Sequence, residues 1–147
     1  MDVAYRRMVE ADVPAIALVH RRACLIAYAF MDWSYSLQEV ADWYGGKFAS
    51  WDWGMVAEVD RKLVGFAATT GTLLDQLFVD PDHQRCGIGT SLMISALDRM
   101  PAGSAAILTV FEQNAPARRL YERCGFREVR RFLNEQEGAI ELLCRRG

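Results

Sequence analysis

Apolar and polar positions alternate along the chain with two different periods, and each period predicts one kind of element. Runs of roughly four to eight apolar or alternating residues predict strands, whereas apolar positions spaced three and four apart predict helices. The strand-like runs are VAYRRMV, MVAEVD, KLVGFAAT, LLDQLFV, AAILTVF, FREVRRFL and AIELLCR. With the helical segments between them, the predicted order is β-α-α-β-β-β-α-β-α-β-β. The wholly apolar run AAILTVF is expected to be covered on both faces of the sheet.

Residues that cap or stop helices mark the ends of the helical segments. Asp12 is expected to cap the first helix, the Ser36–Glu39 sequence SLQE forms a capping box for the second, and Asn114 caps the fourth. The second helix is expected to stop at Gly45–Gly46 and the fourth at Gly125. The third helix has one apolar face, formed by Ile88, Leu92, Met93, Ala96, Leu97 and Met100.

The predicted elements favour one α+β domain over residues 1–147, with a mixed central sheet. A tight turn at Asp60–Arg61 is expected to join MVAEVD to KLVGFAAT as a hairpin. No internal repeat, low-complexity segment or linker divides the sequence. The composition, 52% hydrophobic and 24% charged, is that of an ordinary globular domain with enough apolar material for a core.

Charge and cysteine content argue against several classes of function. The formal net charge is −2, so the basic excess of a nucleic-acid-binding protein is missing. No apolar run is long enough to span a bilayer, and the first residues do not form the hydrophobic core of a signal peptide. The cysteines have no CxxC spacing, and neither histidine is arranged with them as a metal ligand. We expect a cytoplasmic protein with reduced thiols, no metal, and no nucleic-acid or membrane partner.

Two glycines one residue apart mark the entrance of the third helix, in the sequence QRCGIGT. Unpaired N–H groups and a partial positive charge at a helix N-terminus favour an anion, typically a phosphate. A Walker A loop would need lysine before the final hydroxyl residue, and this loop has none. A dinucleotide loop would need a third glycine where Leu92 stands, and the preceding strands form a hairpin meander, although Glu112 is suitably spaced for a ribose. The pattern [Q/R]xxGx[G/A] fits best.

With this loop in the segment LFVDPDHQRCGIG and with NAPARRLYERCGF further along, the chain resembles the GCN5-related N-acetyltransferase (GNAT) superfamily, in particular its small bacterial members. The resemblance implies a GNAT-like fold, in which a mixed, mostly antiparallel sheet is flanked by about four helices. It also implies an acetyl-CoA-dependent N-acetyltransferase that moves an acetyl group to a primary amine by direct attack in a ternary complex. The first half of the chain matches only in the order of its elements.

The resemblance assigns a set of residues to acetyl-CoA. The strand LLDQLFV is expected to splay from its neighbour, and the pantetheine arm to pair with the backbone of Leu77, Phe78 and Val79. Asn114 is expected near the pantetheine, and Arg118 near the phosphates. The pyrophosphate is expected on the loop formed by Gln84, Arg85, Cys86, Gly87, Ile88, Gly89 and Thr90.

The chemistry of amine attack on a thioester suggests roles for three further groups. A backbone N–H such as that of Val79 is suited to stabilise charge on the carbonyl oxygen, and Tyr121 to protonate the leaving thiolate. Asp75, expected on the same strand face as Leu77 and Val79, is a candidate base for the amine, with a water relay as the alternative. The assigned residues also have structural alternatives: Tyr121 as a core residue, Asp75 as a cap or a partner of a neighbouring residue, Asn114 as a helix cap, and the glycines as a tight turn.

Aromatic residues and carboxylates are concentrated between Tyr28 and Trp53, a segment that contains every tryptophan of the chain. Most of these rings are expected to pack the first two helices onto the sheet. Tyr28, Trp33 and Asp32 are candidates for the acceptor site, because aromatic faces with carboxylates favour a cationic amine. The acceptor is then a small-molecule amine or a peptide or protein amine, and a homodimer is compatible with the sequence. The alternative function is a non-catalytic acyl-CoA-binding or sensing domain on the same fold.

Overall fold

The computed structural model describes residues 2–147 and contains the predicted order of elements. Its strands are β1 (Ala4–Arg7), β2 (Trp53–Val59), β3 (Lys62–Thr70), β4 (Leu73–Val79), β5 (Ala106–Phe111), β6 (Arg127–Asn134) and β7 (Ala139–Arg146). Its α-helices are α1 (Val13–Ala27), α2 (Leu37–Lys47), α3 (Ile88–Arg99) and α4 (Ala115–Arg123). Within residues 2–147, no helix combines the length and the apolar character that crossing a membrane requires.

The strands form one sheet in the order β1-β2-β3-β4-β5-β7-β6. Every neighbouring pair is antiparallel except β4–β5, which is parallel. The sheet is therefore mixed and mostly antiparallel, and the predicted α+β architecture is confirmed. Asp60 and Arg61 have φ angles of 51° and 64°, the left-handed values that a two-residue hairpin turn needs.

The parallel pair β4–β5 is open along most of its length. The two strands are paired only at Leu73 and Ile107, and beyond this point they diverge. On its other side, β4 stays paired with β3, but the register shifts between Ala68 and Thr69, so that Asp75 is an extra residue on β4. A bulge of this kind bends a strand and increases its twist. The bulge thus accounts for a gap in the middle of the sheet.

Two apolar cores cover the two faces of the sheet. On one face lies α3, whose buried residues include Ile88, Leu92, Met93 and Ala96, with Met100 just beyond its end, as its apolar pattern predicts. On the other face, α1 and α2 bury Ile16, Val40 and Tyr44 against Phe66 of β3. Along β3, Phe66, Ala67 and Ala68 alternate between the two cores, as the two-residue period of a strand requires, whereas a bulge at Val64 shifts this alternation.

Asp12 occupies the N-cap position of α1, but the prediction that its side chain caps the helix is wrong. The carboxylate turns back toward β1, where it accepts hydrogen bonds from Arg6 at 2.7 and 2.9 Å and from the N–H of Val9 at 2.9 Å. The Arg6 guanidinium holds the pKa of Asp12 below its usual range. An ion pair with a bidentate arginine is a stronger partner for this carboxylate than a helix N–H.

Strand β5 is covered less completely than its apolar sequence predicts. Ala106, Leu108 and Val110 are buried, but Thr109 on the other face is exposed and Phe111 is half-buried. The cause is the divergence from β4, which leaves that face of β5 beside the open gap.

Helix α2 does not stop at Gly45–Gly46 but continues through both glycines to Lys47. Both are exposed, and a Cβ at either position would meet nothing within 4 Å. The buried Tyr44 and Val40 anchor the helix in the core, and this packing offsets the low helix propensity of glycine.

Replacing Gly45 or Gly46 by alanine is expected to stabilise the protein by about 0.5–1 kcal/mol. The new Cβ has open space, and alanine loses less backbone entropy than glycine when a helix forms. The free energy of unfolding in urea measures the effect. A destabilised Gly46→Ala protein would show that these positions leave the helix in solution.

Candidate active site

A cleft of about 1030 Å³ opens where β4 and β5 diverge. Its walls are β4, the C-terminal half of α1, α4 and the end of β5. A cleft of this size is large enough for an extended ligand of several linked groups.

The backbone of β4 presents unpaired groups to this gap. The N–H of Asp80 donates to Val64 of β3 at 2.7 Å, and Phe78 lies opposite Phe66. Because backbone groups of an antiparallel strand alternate in direction, the N–H and C=O of Phe78 face β3, whereas those of Leu77 and Val79 face the gap. The Val79 carbonyl accepts a hydrogen bond from Gln84 Nε2 at 3.1 Å. The N–H groups of Leu77 and Val79 and the Leu77 carbonyl are then left for a ligand, and they fit one that carries amides.

The loop that follows β4 leads directly into the N-terminus of α3. Arg85 and Gly87 have φ angles of 65° and 81°, and Gly87 is the N-cap residue. The N–H of Ser91 is the first to bond within the helix, to the Gly87 carbonyl at 3.0 Å. The N–H groups of residues 88–90 therefore have no partner within the helix and are oriented to receive an anion.

Asp80 fixes the start of this loop. Its carboxylate is only 2% exposed and accepts a hydrogen bond from the N–H of Asp82 at 3.1 Å. Arg22 of α1 forms an ion pair with it, with Nε 2.8 Å from Oδ1, and His83 Nδ1 lies 3.3 Å from Oδ2. The loop is therefore tied to α1 by a buried charge, which is costly to separate from its partners.

The two loop glycines are required for different reasons. At Gly87 space is not the reason, because a Cβ there would meet nothing within 4 Å; glycine is needed there for its positive φ. Gly89 is helical, but a Cβ there would lie 3.3 Å from Leu120 Cδ2 and 3.8 Å from Val79 Cγ2. Gly89 thus permits the close approach of α4 to the N-terminus of α3, which narrows the cleft.

The cleft includes most of the predicted loop residues but not all of them. Gln84, Arg85, Gly87, Gly89 and Thr90 line it. The other two loop residues and Arg118 are not part of the lining: Cys86 is exposed, the side chain of Ile88 is buried in the α3 core although its N–H has no partner within the helix, and Arg118 donates to the Glu112 carbonyl at 2.9 Å.

Helix α4 brings Asn114 and Tyr121 to the cleft. Asn114 is the N-cap residue, and its side chain accepts a hydrogen bond from the N–H of Ala117 at 3.4 Å, so its predicted capping role is confirmed. Burial raises the pKa of Tyr121 above its ordinary value. The phenol therefore keeps its proton at neutral pH, as a proton donor must.

Asp75 does not share a face with Leu77 and Val79, and this prediction is wrong. Its Oδ2 accepts a hydrogen bond from Trp51 Nε1 at 2.8 Å and lies 3.2 Å from Lys47 Nζ. Trp51 packs against the core under α1 and α2, whereas Leu77 and Val79 pack against the α3 core. The bulge at Asp75 interrupts the alternation on which the prediction depended.

Two of the three predicted acceptor residues line the cleft. Tyr28 stacks edge-on against Phe111 with ring centroids 5.0 Å apart, and burial raises the pKa of its hydroxyl. Trp33 packs against Tyr35 at 5.3 Å. The third, Asp32, is exposed and is not part of the lining.

The charged residues of the cleft are separated by sign. Arginines lie on the loop and on α4, whereas most carboxylates lie on α2 and on the β6–β7 hairpin. The arginines are Arg85, Arg119 and Arg123, and these carboxylates are Glu39, Asp42, Glu137 and Glu141. Asp75 of β4 also lines the cleft, but it is paired with Lys47. Tyr35 bridges toward the hairpin by donating a hydrogen bond to Glu137 Oε1 at 2.7 Å. The arginine side of the cleft suits an anionic ligand, and the carboxylate side suits a cationic group.

Two cleft residues, His20 and Gln76, are joined through the buried Tyr44 by a hydrogen-bonded chain that the sequence did not indicate. His20 of α1 contacts the hydroxyl of Tyr44, and this hydroxyl donates to Gln76 Oε1 of β4 at 3.2 Å. A lone histidine on the apolar face of a helix usually indicates a core residue, so its spacing gave no signal of function.

Comparison with known proteins identifies this arrangement. The acetyltransferase (GNAT) family matches residues 23–126. The chain is 30% identical to the peptidyl-lysine N-acetyltransferase YiaC of Escherichia coli over 128 residues, which cover 84% of this chain and 83% of YiaC. It is 39% identical to the E. coli peptidyl-lysine N-acetyltransferase YjaB over 75 residues, 51% of this chain and only 48% of YjaB.

Solved structures have the same fold. The solution structure of apo YjaB from E. coli superimposes with a TM-score of 0.79 at 26% identity, covering 99% of this chain and 97% of YjaB. YncA from Salmonella typhimurium, whose structure contains acetyl-CoA, superimposes with a TM-score of 0.74 at 18% identity, covering 99% and 93%. The match over residues 23–126, together with the open β4–β5 pair and the glycine loop, shows that this chain belongs to the GNAT family of acetyltransferases.

Proposed function

We propose that this protein transfers the acetyl group of acetyl-CoA to the side-chain amine of a lysine in a peptide or protein. The observation that carries the proposal is the continuous track of unpaired backbone groups from Leu77 and Val79 to the N-terminus of α3. An amide-bearing arm and a pyrophosphate are the two ligand parts that this track fits. The acceptor class is supported by YiaC and YjaB, both named peptidyl-lysine N-acetyltransferases.

The proposed reaction is a direct transfer. The amine nitrogen attacks the thioester carbonyl carbon, a C–N bond forms, and the C–S bond breaks. The N–H groups of Val79 and Leu77 face the gap, where they stabilise negative charge on the carbonyl oxygen. Tyr121 gives its proton to the departing sulfur. Asp75 stays a predicted base, although its carboxylate is already held by Trp51 and Lys47.

The carboxylates at the acceptor end of the cleft favour a charged amine over a neutral one. Glu39 and Asp42 lie on α2, and Glu137 and Glu141 lie on or beside the β6–β7 turn. A lysine side chain carries such a cationic amine at its end. A polyamine is the competing acceptor, and a panel that contains both a lysine peptide and a polyamine distinguishes them by kcat/KM.

Saturating CoA is expected to raise the melting temperature by roughly 5–10 °C, whereas NAD and ATP have much smaller effects. A ligand that binds only the folded state at about 100 times its Kd adds about 2.7 kcal/mol of stability. Thermal unfolding with each nucleotide measures this. An unchanged melting temperature with CoA, beside a rise with NAD, would contradict the assignment of the loop. A rise with CoA but no transfer to any amine would instead favour an acyl-CoA sensor.

Replacing Trp33 by alanine is expected to raise the KM for a lysine peptide by about threefold or more and to leave the KM for acetyl-CoA nearly unchanged. Trp33 lines the cleft beside Tyr35, and its ring face attracts a cation. Asp32→Ala is the matched comparison, and its effect is expected to be smaller because Asp32 is exposed outside the cleft. Steady-state kinetics in both substrates provide the test. Equal effects of Trp33→Ala on both KM values would show that the ring only packs.

A further inference from the structure

His20 lies at the centre of an aromatic cluster on the wall of the cleft. It is on the inward face of α1, between the buried Ala17 and Cys24. Its ring centroid is 4.5 Å from that of Phe78 on β4, and the rings that surround it are Trp33, Trp43, Tyr44 and Phe78. Phe78 stands between Leu77 and Val79, whose backbone groups face the gap. His20 is thereby placed one side chain away from the track proposed for the pantetheine arm.

The hydrogen bonds of Tyr44 determine which nitrogen of His20 carries the proton. Gln76 Oε1 is an acceptor, so the single proton of the Tyr44 hydroxyl is used in that bond. With Gln76 in this orientation, the contact between His20 Nδ1 and the Tyr44 oxygen is assigned as a hydrogen bond that the histidine donates. In this tautomer Nδ1 carries the proton and the lone pair is on Nε2. Within residues 2–147, no hydrogen bond involves Nε2.

The chain of three residues also holds the ring in a fixed orientation. Tyr44 is fully buried and packs against Phe66 in the core, so its hydroxyl has little freedom. Gln76 is next to the bulge in β4, the point at which the strand bends. The imidazole is therefore oriented by the same bulge that accompanies the opening of the cleft, as expected of a preoriented functional group.

Burial among aromatic rings lowers the pKa of His20 to about 4. The imidazole is neutral in the physiological range and has a free lone pair. Asp75 is a less available base, because its Oδ2 already accepts a hydrogen bond from the indole N–H of Trp51 and lies beside the Lys47 ammonium.

We infer that His20 is the general base of the transfer reaction: its Nε2 accepts a proton from the acceptor nitrogen as the C–N bond forms. The inference rests on the proposed function. The lysine ammonium that the carboxylates attract first gives one proton to solvent, which leaves a neutral amine. As this amine attacks and the C–N bond forms, its nitrogen becomes acidic and loses one proton to Nε2. The sulfur receives one proton from Tyr121, and the products are the amide and the free thiol. Solvent then takes the proton from the imidazolium and returns one to the tyrosinate. His20 and Tyr121 line the same cleft from different helices, α1 and α4. The inference places the acceptor nitrogen beside His20 and the sulfur beside Tyr121.

Two substitutions separate this role from packing. His20→Gln keeps a polar group that can bond to Tyr44, and His20→Phe keeps the aromatic ring, but neither has a basic nitrogen. Both are expected to lower kcat at least about tenfold with acetyl-CoA and a short peptide that contains one internal lysine. The rise in melting temperature with CoA and the KM for acetyl-CoA are expected to stay near the wild-type values.

Chemical rescue completes the experiment. His20→Ala leaves a space at the cleft wall that free imidazole can enter. Added imidazole is expected to restore part of the lost kcat in His20→Ala but not to increase the kcat of the wild-type protein. Wild-type kcat in both His20→Gln and His20→Phe would overturn the inference, and so would a loss of activity in His20→Ala that imidazole does not relieve although CoA still stabilises the variant. If the wild-type protein acetylates neither the peptide nor any other amine, the proposed function fails and the inference fails with it.

Discussion

Replacing Tyr121 by phenylalanine is expected to lower kcat by about 10²-fold while CoA affinity and melting temperature stay nearly unchanged. The substitution removes one hydroxyl and keeps the ring that packs 6.3 Å, centroid to centroid, from Phe126. If Tyr121 supplies the proton to the departing sulfur, the variant must expel a thiolate without an acid. About 10²-fold is the low end of what a lost general acid costs.

The pH dependence of this loss provides an internal control. Because burial raises the pKa of Tyr121, the phenol keeps its proton across the neutral range, and the ratio of wild-type to variant kcat is expected to be constant from about pH 6 to pH 9. Steady-state kcat at several pH values and CoA titration by calorimetry are the measurements. Full activity in Tyr121→Phe would mean that water donates the proton and that Tyr121 is a packing residue.

Most of the fold could be predicted because its signals are local. The Ser36–Glu39 capping box forms as predicted, with Ser36 Oγ accepting from the N–H of Glu39 at 3.1 Å, and Asn114 caps α4. The Asp60–Arg61 turn and the apolar face of α3 are likewise set by neighbours within a few residues. For these elements, local preference and tertiary packing agree.

The errors arose where distant residues decided the outcome. The Asp12 side chain pairs with Arg6 of β1 instead of capping α1. Helix α2 continues through Gly45–Gly46 because its buried residues hold it in the core. A bulge places Asp75 on the face of β4 opposite to the predicted one, and no residue type in LLDQLFV indicates that bulge. A single sequence shows which residues cap and turn, but not which long-range partner competes for them.

The candidate site was predicted unevenly for the same reason. The glycine loop has a dense local pattern, and most of its residues do line the cleft. His20, by contrast, gains its partners from α2 and β4, which are far away in the sequence. Its role depends on how the Tyr44 hydroxyl is used, and that is visible only in three dimensions.

Replacing Gly89 by valine is expected to weaken CoA binding by about 1–2 kcal/mol, roughly 5- to 30-fold in Kd. A Cβ at this position already meets Leu120 Cδ2 at 3.3 Å and Val79 Cγ2 at 3.8 Å, and the two valine methyl groups add further bulk between α4 and β4 in the first turn of α3. The expected consequence is a displaced α4 and lost phosphate hydrogen bonds. Gly46→Val is the matched control, because it adds the same side chain to an exposed helical glycine outside the cleft.

A double substitution separates the two causes of the loss. In Gly89→Val with Leu120→Ala, the space for the new methyl groups is restored, so that any affinity that returns measures the displacement of α4, and the remainder measures obstruction of the phosphate site. Calorimetric titration with CoA, together with the melting temperature of each variant, gives both quantities. If Gly89→Val is folded and binds CoA as tightly as Gly46→Val, the pyrophosphate does not bind at the N-terminus of α3. The proposed track of backbone groups, on which the acetyltransferase mechanism depends, would then be wrong.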